Sequence, residues 1–477
     1  MALQLYDSLT REKRPFEPVT EGRVGIYFCG PTVYSEPHLG HARGPIVFDV
    51  LKRWFEHEGY RVRLVSNITD VGHLTDDADE GEDKLVKRAK LEQLEPMEVA
   101  EKYFWAYFDA LDKLGVRRPD VTPRASGHIT EQIAMAQTLI DNDLAYERDG
   151  SVYFDVSAWD DYGELSGRDP DDLVEGTRVD VRSDKDDPRD FALWKRAEPD
   201  HIMRWDSPWG EGYPGWHIEC SVMSTKYLGD EFDIHGGGLD LLFPHHECEL
   251  AQAHGAGKAF ARTWMHFNML TLGGEKMSKS KSHFVTLTEL FEDEDPLAVR
   301  FHLLRSHYRS VLDFSEESLL SSSQGLRRLL ETYQELKRRA EGDAEGDSAP
   351  FAEARAAFTK AMNDDLNTPQ AIAVLFDTTR EVNSKLADAD QTYLNAAKAF
   401  YEDLLGKVLG VIGDSQGVGA KASDDTLGGV LELVLNQRKE ARLRRDFETS
   451  DAIRDRLAEL GIQIEDTAEG SRWKLGS

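Results

Sequence analysis

Residues 23–70 read RVGIYFCGPTVYSEPHLGHARGPIVFDVLKRWFEHEGYRVRLVSNITD. The opening RVGIYF is a short apolar run stopped by Gly30 and Pro31, the pattern of a buried strand. Beyond the turn, Ile46, Val47, Val50, Leu51, Trp54 and Phe55 recur at helical spacing until Gly59. Pro45 is expected in the first turn of that helix, where a missing N–H does no harm. YRVRLVSNITD then reads as a second strand running into a polar loop. Strand, helix and strand on this scale predict a βαβ unit, hence a parallel sheet with its ligand site at the strands' carboxyl ends.

Composition bounds the rest. At 477 residues the chain has room for several domains and a large core. It holds no run of ~18 apolar residues and no apolar signal core at its start, so a cytoplasmic protein with no membrane contact is expected. Three cysteines argue against a disulfide framework and suit a reducing compartment, where a thiol serves as metal ligand, nucleophile or core filler. The net charge of -31 normally disfavours a nucleic-acid partner. The acidic residues are scattered along the whole chain, however, as expected for a protein of a salt-rich cytosol, where screening removes the repulsion.

Texture changes along the chain. Residues 121–200 are short alternating pieces rich in Asp, Pro and Gly, which read as an insertion with its own hairpins. Apolar α/β character returns in GWHIECSVMSTKYLG and DIHGGGLDLLFPHHECELAQAHGAG. From about 316 the pattern is helical. Residues 413–428 are polar and Gly-rich, a linker composition, and the last 50 or so form a small unit of charged helices and a hairpin.

Two stretches carry phosphate chemistry. His38 and His41 of HLGH stand three apart at a helix start, on one face. That helix end offers unpaired N–H groups and a positive dipole end, an anion site, and Gly40 lets a flat group approach the backbone. GGEKMSKSKSH, residues 273–283, places Lys276, Lys279 and Lys281 in a Gly- and Ser-rich loop of an otherwise acidic protein, point charges suited to a polyphosphate. Alone, the first is also the look of an ordinary capped helix and the second of a solvated loop.

The cysteines show no CxxC spacing. Cys29 follows the first strand, and Cys220, after GWHIE, is also expected at a strand end. In HHECE, a helix would put His245 and Glu249 one turn apart on one face. Two thiolates, an imidazole and a carboxylate can form a tetrahedral zinc site; buried cysteines acting as small hydrophobes are the other reading.

HLGH with EKMSKS some 240 residues later resembles the paired signature of the class I aminoacyl-tRNA synthetases. FCGPTVYSEPHLGH, NITD, GWHIEC, DIHGGGLDLLFPHHE, LWK at 193–195, NDDLNTP at 363–369 and DAIRDRLAELG, in that order, resemble the cysteinyl-tRNA synthetase family over essentially the whole chain. The resemblance implies an α/β fold: a Rossmann-type parallel-sheet catalytic domain with an inserted connective domain, then a helical bundle and a small C-terminal α+β unit. The divisions would be 1–120 and 201–260 for the two catalytic halves, 121–200 for the insertion and 261–315 for the KMSKS-bearing stem-contact region. A bundle at 316–412, the linker at 413–428 and an anticodon-binding unit at 429–477 complete it.

It also implies roles. Cys29, Cys220, His245 and Glu249 would hold one Zn²⁺ per chain, with Cys248 left as a packing residue. Cys29, Thr69, Trp216 and His235 would meet the substrate cysteine. His38, Gly40, His41, Gly237, Gly238, Asp240, Lys276 and Lys279 would bind ATP with its Mg²⁺, and His38, His41, Lys276 and Lys279 would be catalytic. The partners would be ATP, L-cysteine and cysteine tRNA, with the enzyme a monomer. A cysteine:aminosugar ligase using the same adenylate and a non-catalytic tRNA-binding paralogue are the alternatives. One departure from the family pattern is the long acidic loop after NITD, VGHLTDDADEGEDK, which bears on the geometry near Asp70.

Overall fold

The structure, a computed structural model, describes residues 2–74, 83–169, 185–199, 201–273, 275–276, 285–341, 349–413, 420–459, 462–467 and 470–475. The chain divides into two compact units, 1–413 and 414–477.

At the centre of the larger unit lies a parallel sheet of four strands in the order Phe260–Phe267, Glu231–Gly238, Arg23–Phe28, Arg61–Ser66. The βαβ reading holds: strands Arg23–Phe28 and Arg61–Ser66 pair in parallel, and helix Leu39–His57 connects them. Strand Glu231–Gly238 joins on the other side of Arg23–Phe28, with Tyr27 opposite His235 and Phe28 opposite Gly236. The chain order therefore reverses beside Arg23–Phe28, and at such a switch point the connections leave to opposite faces and open a crevice at the carboxyl ends. Cys29, immediately after Phe28, donates its backbone N–H to Gly236 O at 3.0 Å in that crevice.

Close packing explains the glycines here. A Cβ on Gly236 would stand 2.1 Å from the Phe48 ring of the connecting helix, and one on Gly30 would stand 1.7 Å from Asn67 O. Pro45 corrects the expectation placed on it. The helix begins at Leu39, so Pro45 lies inside it rather than in its first turn. The intrahelical bond it cannot donate is the one to His41 O, near the helix start.

A four-stranded antiparallel sheet in the order Ala145–Arg148, Ser151–Phe154, Phe191–Arg196, Gly212–Pro214 stands beside helix Ile129–Asp141. Cys248 is buried in the core there and lies 3.4 Å from the Tyr162 hydroxyl. Helices Glu316–Arg339, Ala352–Met362, Thr368–Lys385 and Gln391–Tyr401 follow. In the first of these Leu319, Leu326, Leu329, Tyr333 and Leu336 are buried, one face at helical period. NDDLNTP ties this region to helix Leu39–His57 and to the N-terminal strand Gln4–Asp7: Asn363 accepts from Trp54 Nε1 at 3.0 Å, and Asp365 accepts from Tyr308, Arg309 and the backbone of Tyr6.

The smaller unit holds helices Ala420–Leu443 and Phe447–Glu459 and a hairpin of Ile462–Thr467 with Gly470–Leu475, over a core of Leu431, Leu457 and Ile462. Its first helix starts inside the stretch read as a linker, correcting that reading for residues 420–428. AKASDDTL is polar but contains helix-forming Ala, Lys and Leu, so composition misleads there. Among the described residues no helix is long and apolar enough to cross a membrane.

Candidate active site

Cys29, Cys220, His245 and Glu249 converge, each buried, with one donor atom apiece all within 4.8 Å of one another. The two sulfurs are 3.8 Å apart, close to the ~3.8 Å that two ~2.3 Å metal–sulfur bonds at a tetrahedral angle would set. His245 Nε2 lies 3.0 Å from Glu249 Oε1, the i, i+4 pairing expected from HHECE. Cys220 corrects its assignment: it lies in the first turn of helix Ile218–Leu228, not at a strand end. Strand Gly212–Pro214 ends before Trp216, and the helix start delivers the thiol.

The groups behind these donors are ordered too. His245 Nδ1 lies 3.0 Å from His217 Nδ1, which turns Nε2 toward the sulfurs. Glu249 Oε2 lies 2.7 Å from His235 Nε2. Such outer contacts fix the orientation of ligating imidazoles and carboxylates. His235, expected beside the substrate, thus stands behind Glu249 and is 0 % exposed. Burial alone would raise the Glu249 carboxyl, but the His235 and His245 charges outweigh it and hold the pKa down at about 2. Burial would lower His245, yet Glu249 lifts it to about 10. Burial pushes the Cys29 thiol up. It acts on Cys220 as well, but there a bond from Cys29 and the neighbouring His245 outweigh it and favour the thiolate.

A second group, Cys29 with His235 and His246, shares the Cys29 sulfur. His246 Nε2 lies 3.3 Å from that sulfur, its Nδ1 2.8 Å from His266 Nε2, and His266 Nδ1 2.7 Å from Ser8 Oγ. Burial holds His266 down at about 3, so its ring is neutral. The four-donor group, with two sulfurs, is the stronger candidate for a soft metal.

Across the same crevice stands HLGH. His38 caps helix Leu39–His57, its Nδ1 accepting from Gly40 N at 3.1 Å, while His41 Nδ1 accepts from His38 N at 3.2 Å. Both Nδ1 atoms are acceptors, which puts each ring proton on Nε2. The rings stack with centroids 3.7 Å apart. A cavity of about 320 Å³ is lined by Cys29, His38, Gly40, His41, Gly238 and Asp240, joining the thiol site to the helix start. A larger cavity, about 710 Å³, lies among the helices at Arg305 and Arg328 and touches none of these residues. The smaller one has the chemistry.

Thr69 donates to Glu219 Oε1, and Glu219 Oε2 is buried without a partner among the described residues. Burial, with the neighbouring Cys220 charge, pushes the Glu219 carboxyl up. Trp216 stacks on His245 at 4.4 Å. Gly237 lies against the His246 ring, where a Cβ would come within 2.7 Å. Lys276 sits in a short strand, Glu275–Lys276, paired with Leu270–Leu272. Its side chain and the whole of Lys279 lie outside the described residues.

Sequence reasoning missed Arg43, His217, Glu219, His246 and His266. Arg43 is buried, and its guanidinium donates to the carbonyls of Met269, His307 and Ser310. The histidines stand on separate elements with no spacing to mark them. His266 carried only the signal of a polar residue at an otherwise apolar position, in WMHF, whereas His217 and His246 stand inside GWHIEC and HHECE.

The model of the tRNA synthetases class I (C) catalytic domain matches residues 15–324, and that of the DALR domain matches 357–413. A cysteine–tRNA ligase of Thermus thermophilus is 55 % identical over 479 residues, covering 100 % of both chains. That of Deinococcus radiodurans is 54 % identical, over 99 % of this chain and 96 % of its own. Mycobacterium tuberculosis methionyl-tRNA synthetase in complex with methionyl-adenylate shares the fold, with a TM-score of 0.60 at 15 % identity over 81 % of this chain and 91 % of that one.

Proposed function

We propose a function from one premise: the chain belongs to the cysteine–tRNA ligase family of class I tRNA synthetases, and it joins L-cysteine to cysteine tRNA with ATP. The observation that supports our reading of the site is that the four-donor cluster and the HLGH helix start border one cavity through Cys29. The amino-acid side chain and the ATP α-phosphate must lie a few ångströms apart, and Cys29 stands between them.

The donor set fits zinc, with Cys29, Cys220, His245 and Glu249 as ligands. Bound there, the ion would prefer a soft thiolate to a hydroxyl and so separate cysteine from serine, beyond the ~1–3 kcal/mol available to a shape-only pocket. Thr69 and Trp216 would border the amino acid. Thr69 is held by Glu219, to which its hydroxyl donates.

The cysteine carboxylate attacks the α-phosphate of Mg²⁺–ATP in line, and the P–O bond to pyrophosphate breaks. The Nε2–H groups of His38 and His41 donate to the phosphate oxygens, while Gly40 admits the nucleotide to the helix start. Gly237, Gly238 and Asp240 would line the nucleoside side. Lys276 and Lys279 would neutralise the leaving pyrophosphate. A ribose hydroxyl of the tRNA 3′ end then attacks the cysteinyl adenylate and releases AMP. No side chain acts as nucleophile; positioning and electrostatics carry the rate.

Metal analysis with cysteine-dependent pyrophosphate exchange tests this reading. The purified protein should carry about one zinc per chain, and Cys220→Ser should lose metal and exchange together. Active enzyme free of metal would overturn it.

A further inference from the structure

The loop after NITD has both described ends clamped. Lys84 N donates to His73 O at 3.0 Å, Gly72 N donates to Asp83 Oδ2 at 2.9 Å, and Leu74 bridges Asp83. Gly72 is packed against the segment that leads to Trp216. Gly72 has φ +78°, and a Cβ there would stand 2.4 Å from Pro214 O. Next to Gly72, His73, 8 % exposed, lies flat on the indole of Trp216, with ring centroids 4.0 Å apart and planes 10° from parallel.

The plane of His73 is itself determined. Lys84 Nζ lies 2.7 Å from Nε2 and Thr32 Oγ1 lies 2.5 Å from Nδ1. An ammonium only donates, so Nε2 accepts, and the ring proton sits on Nδ1 and faces the Thr32 hydroxyl. Bonds at both nitrogens lie in the ring plane and stop the imidazole turning about its own axis. Thr32 is three residues past Cys29 and bridges Thr69, so the hold on His73 comes from the walls of the site. Trp216 also stacks on His245, 4.4 Å away and tilted by 26°.

We infer that His73 is a positioning residue: it sets the plane of Trp216 against His245 and so tunes cysteine binding. This rests on the reading above that Trp216 borders the substrate cysteine.

The test is steady-state pyrophosphate exchange by the full chain, with zinc content measured on each variant. Trp216→Ala comes first and should raise KM for cysteine. His73→Ala should raise the same KM about two- to twelvefold, the effect of losing one stacked pair, leaving kcat, KM for ATP and zinc content unchanged. The emission of Trp216, isolated by subtracting Trp216→Phe, should shift to the red as the indole gains water. His73→Phe keeps a flat ring and should recover most of the KM. Thr32→Val keeps the imidazole but removes one in-plane bond, should fall between the two, and still decides the matter if His73→Ala does not fold. An unchanged cysteine KM in His73→Ala and in Thr32→Val, beside a raised one in Trp216→Ala, overturns the inference alone. Parallel loss of kcat and zinc in His73→Ala also overturns it, since that is a general structural role. No effect from Trp216→Ala overturns the reading of the site beneath it.

Discussion

Asp49 lies within the helix that presents His38 and His41 and is 1 % exposed. Its Oδ2 accepts from Arg300 Nη2 at 2.6 Å and Arg53 Nε at 2.8 Å, and Arg117 approaches Oδ1 at 3.3 Å. Arg300 is 0 % exposed; its other bonds go to the carbonyls of Leu409 and Leu114. Asp49→Asn keeps the shape and removes the charge, leaving a buried guanidinium without its partner, which costs about 3–5 kcal/mol. At ~2.1 cal/mol/K of unfolding entropy per residue, spread over residues 1–413 as one cooperative unit, the melting temperature should fall by about 3–6 °C in calorimetry at pH 7. The pH dependence carries a sign. Burial alone would raise the Asp49 carboxyl, but Arg300 and Arg53 outweigh burial and hold it below its usual value. A depressed carboxyl contributes stability that is complete above the unfolded pKa, ~3.9, and lost as pH falls through the folded one. The gap between wild type and variant should therefore narrow below about pH 4. Replacing both partners, Asp49→Leu with Arg300→Met, should recover most of the loss. A gap under about 1 °C at pH 7, or one that stays constant from pH 5 to pH 3, refutes the reasoning.

Three further outcomes are expected. Gly30→Ala drives a Cβ into Asn67 O, so the turn that carries Cys29 must shift, and zinc content should fall with cysteine-dependent exchange; a fully loaded, active Gly30→Ala enzyme would contradict the close packing. Lys279→Ala should slow exchange about 10²–10³-fold, as for loss of one donor to a developing charge, with cysteine affinity and zinc unchanged; equal losses in binding and rate would remove the phosphate role. Deleting residues 414–477 should abolish charging of cysteine tRNA at ordinary tRNA concentrations and spare pyrophosphate exchange, and a truncated enzyme that charges as well as the full chain would take the anticodon role away from that unit.

Hydrophobic period and turn residues act over a few positions, so they were readable directly from the chain. RVGIYF and RLVS became parallel strands, and the apolar stripe from Ile46 to Phe55 became the helix between them. The placement of His245 one turn before Glu249 belongs to the same class. HLGH and KMSKS were legible as signatures because each is contiguous, and the proposed metal ligands came through family resemblance rather than from spacing. Local pattern failed where two local forces compete. Pro45 sits mid-helix because packing of the flanking apolar face outweighs one lost bond, and AKASDDTL is helical despite its polarity.

What the tertiary structure alone decided is convergence. Cys29 and Cys220 are 191 positions apart, yet their sulfurs meet at 3.8 Å, because the chain order reverses beside strand Arg23–Phe28 and a helix start, not a strand, brings the second thiol. His235 behind Glu249, His217 behind His245, and the run from Cys29 through His246 and His266 to Ser8 join residues from six separate segments. A side chain's partner across a sheet or a crevice depends on strand order and register, quantities that no short window of sequence contains. The sequence by itself determined which groups were available and the local geometry of each; the order of strands in the sheet determined which of them face one another.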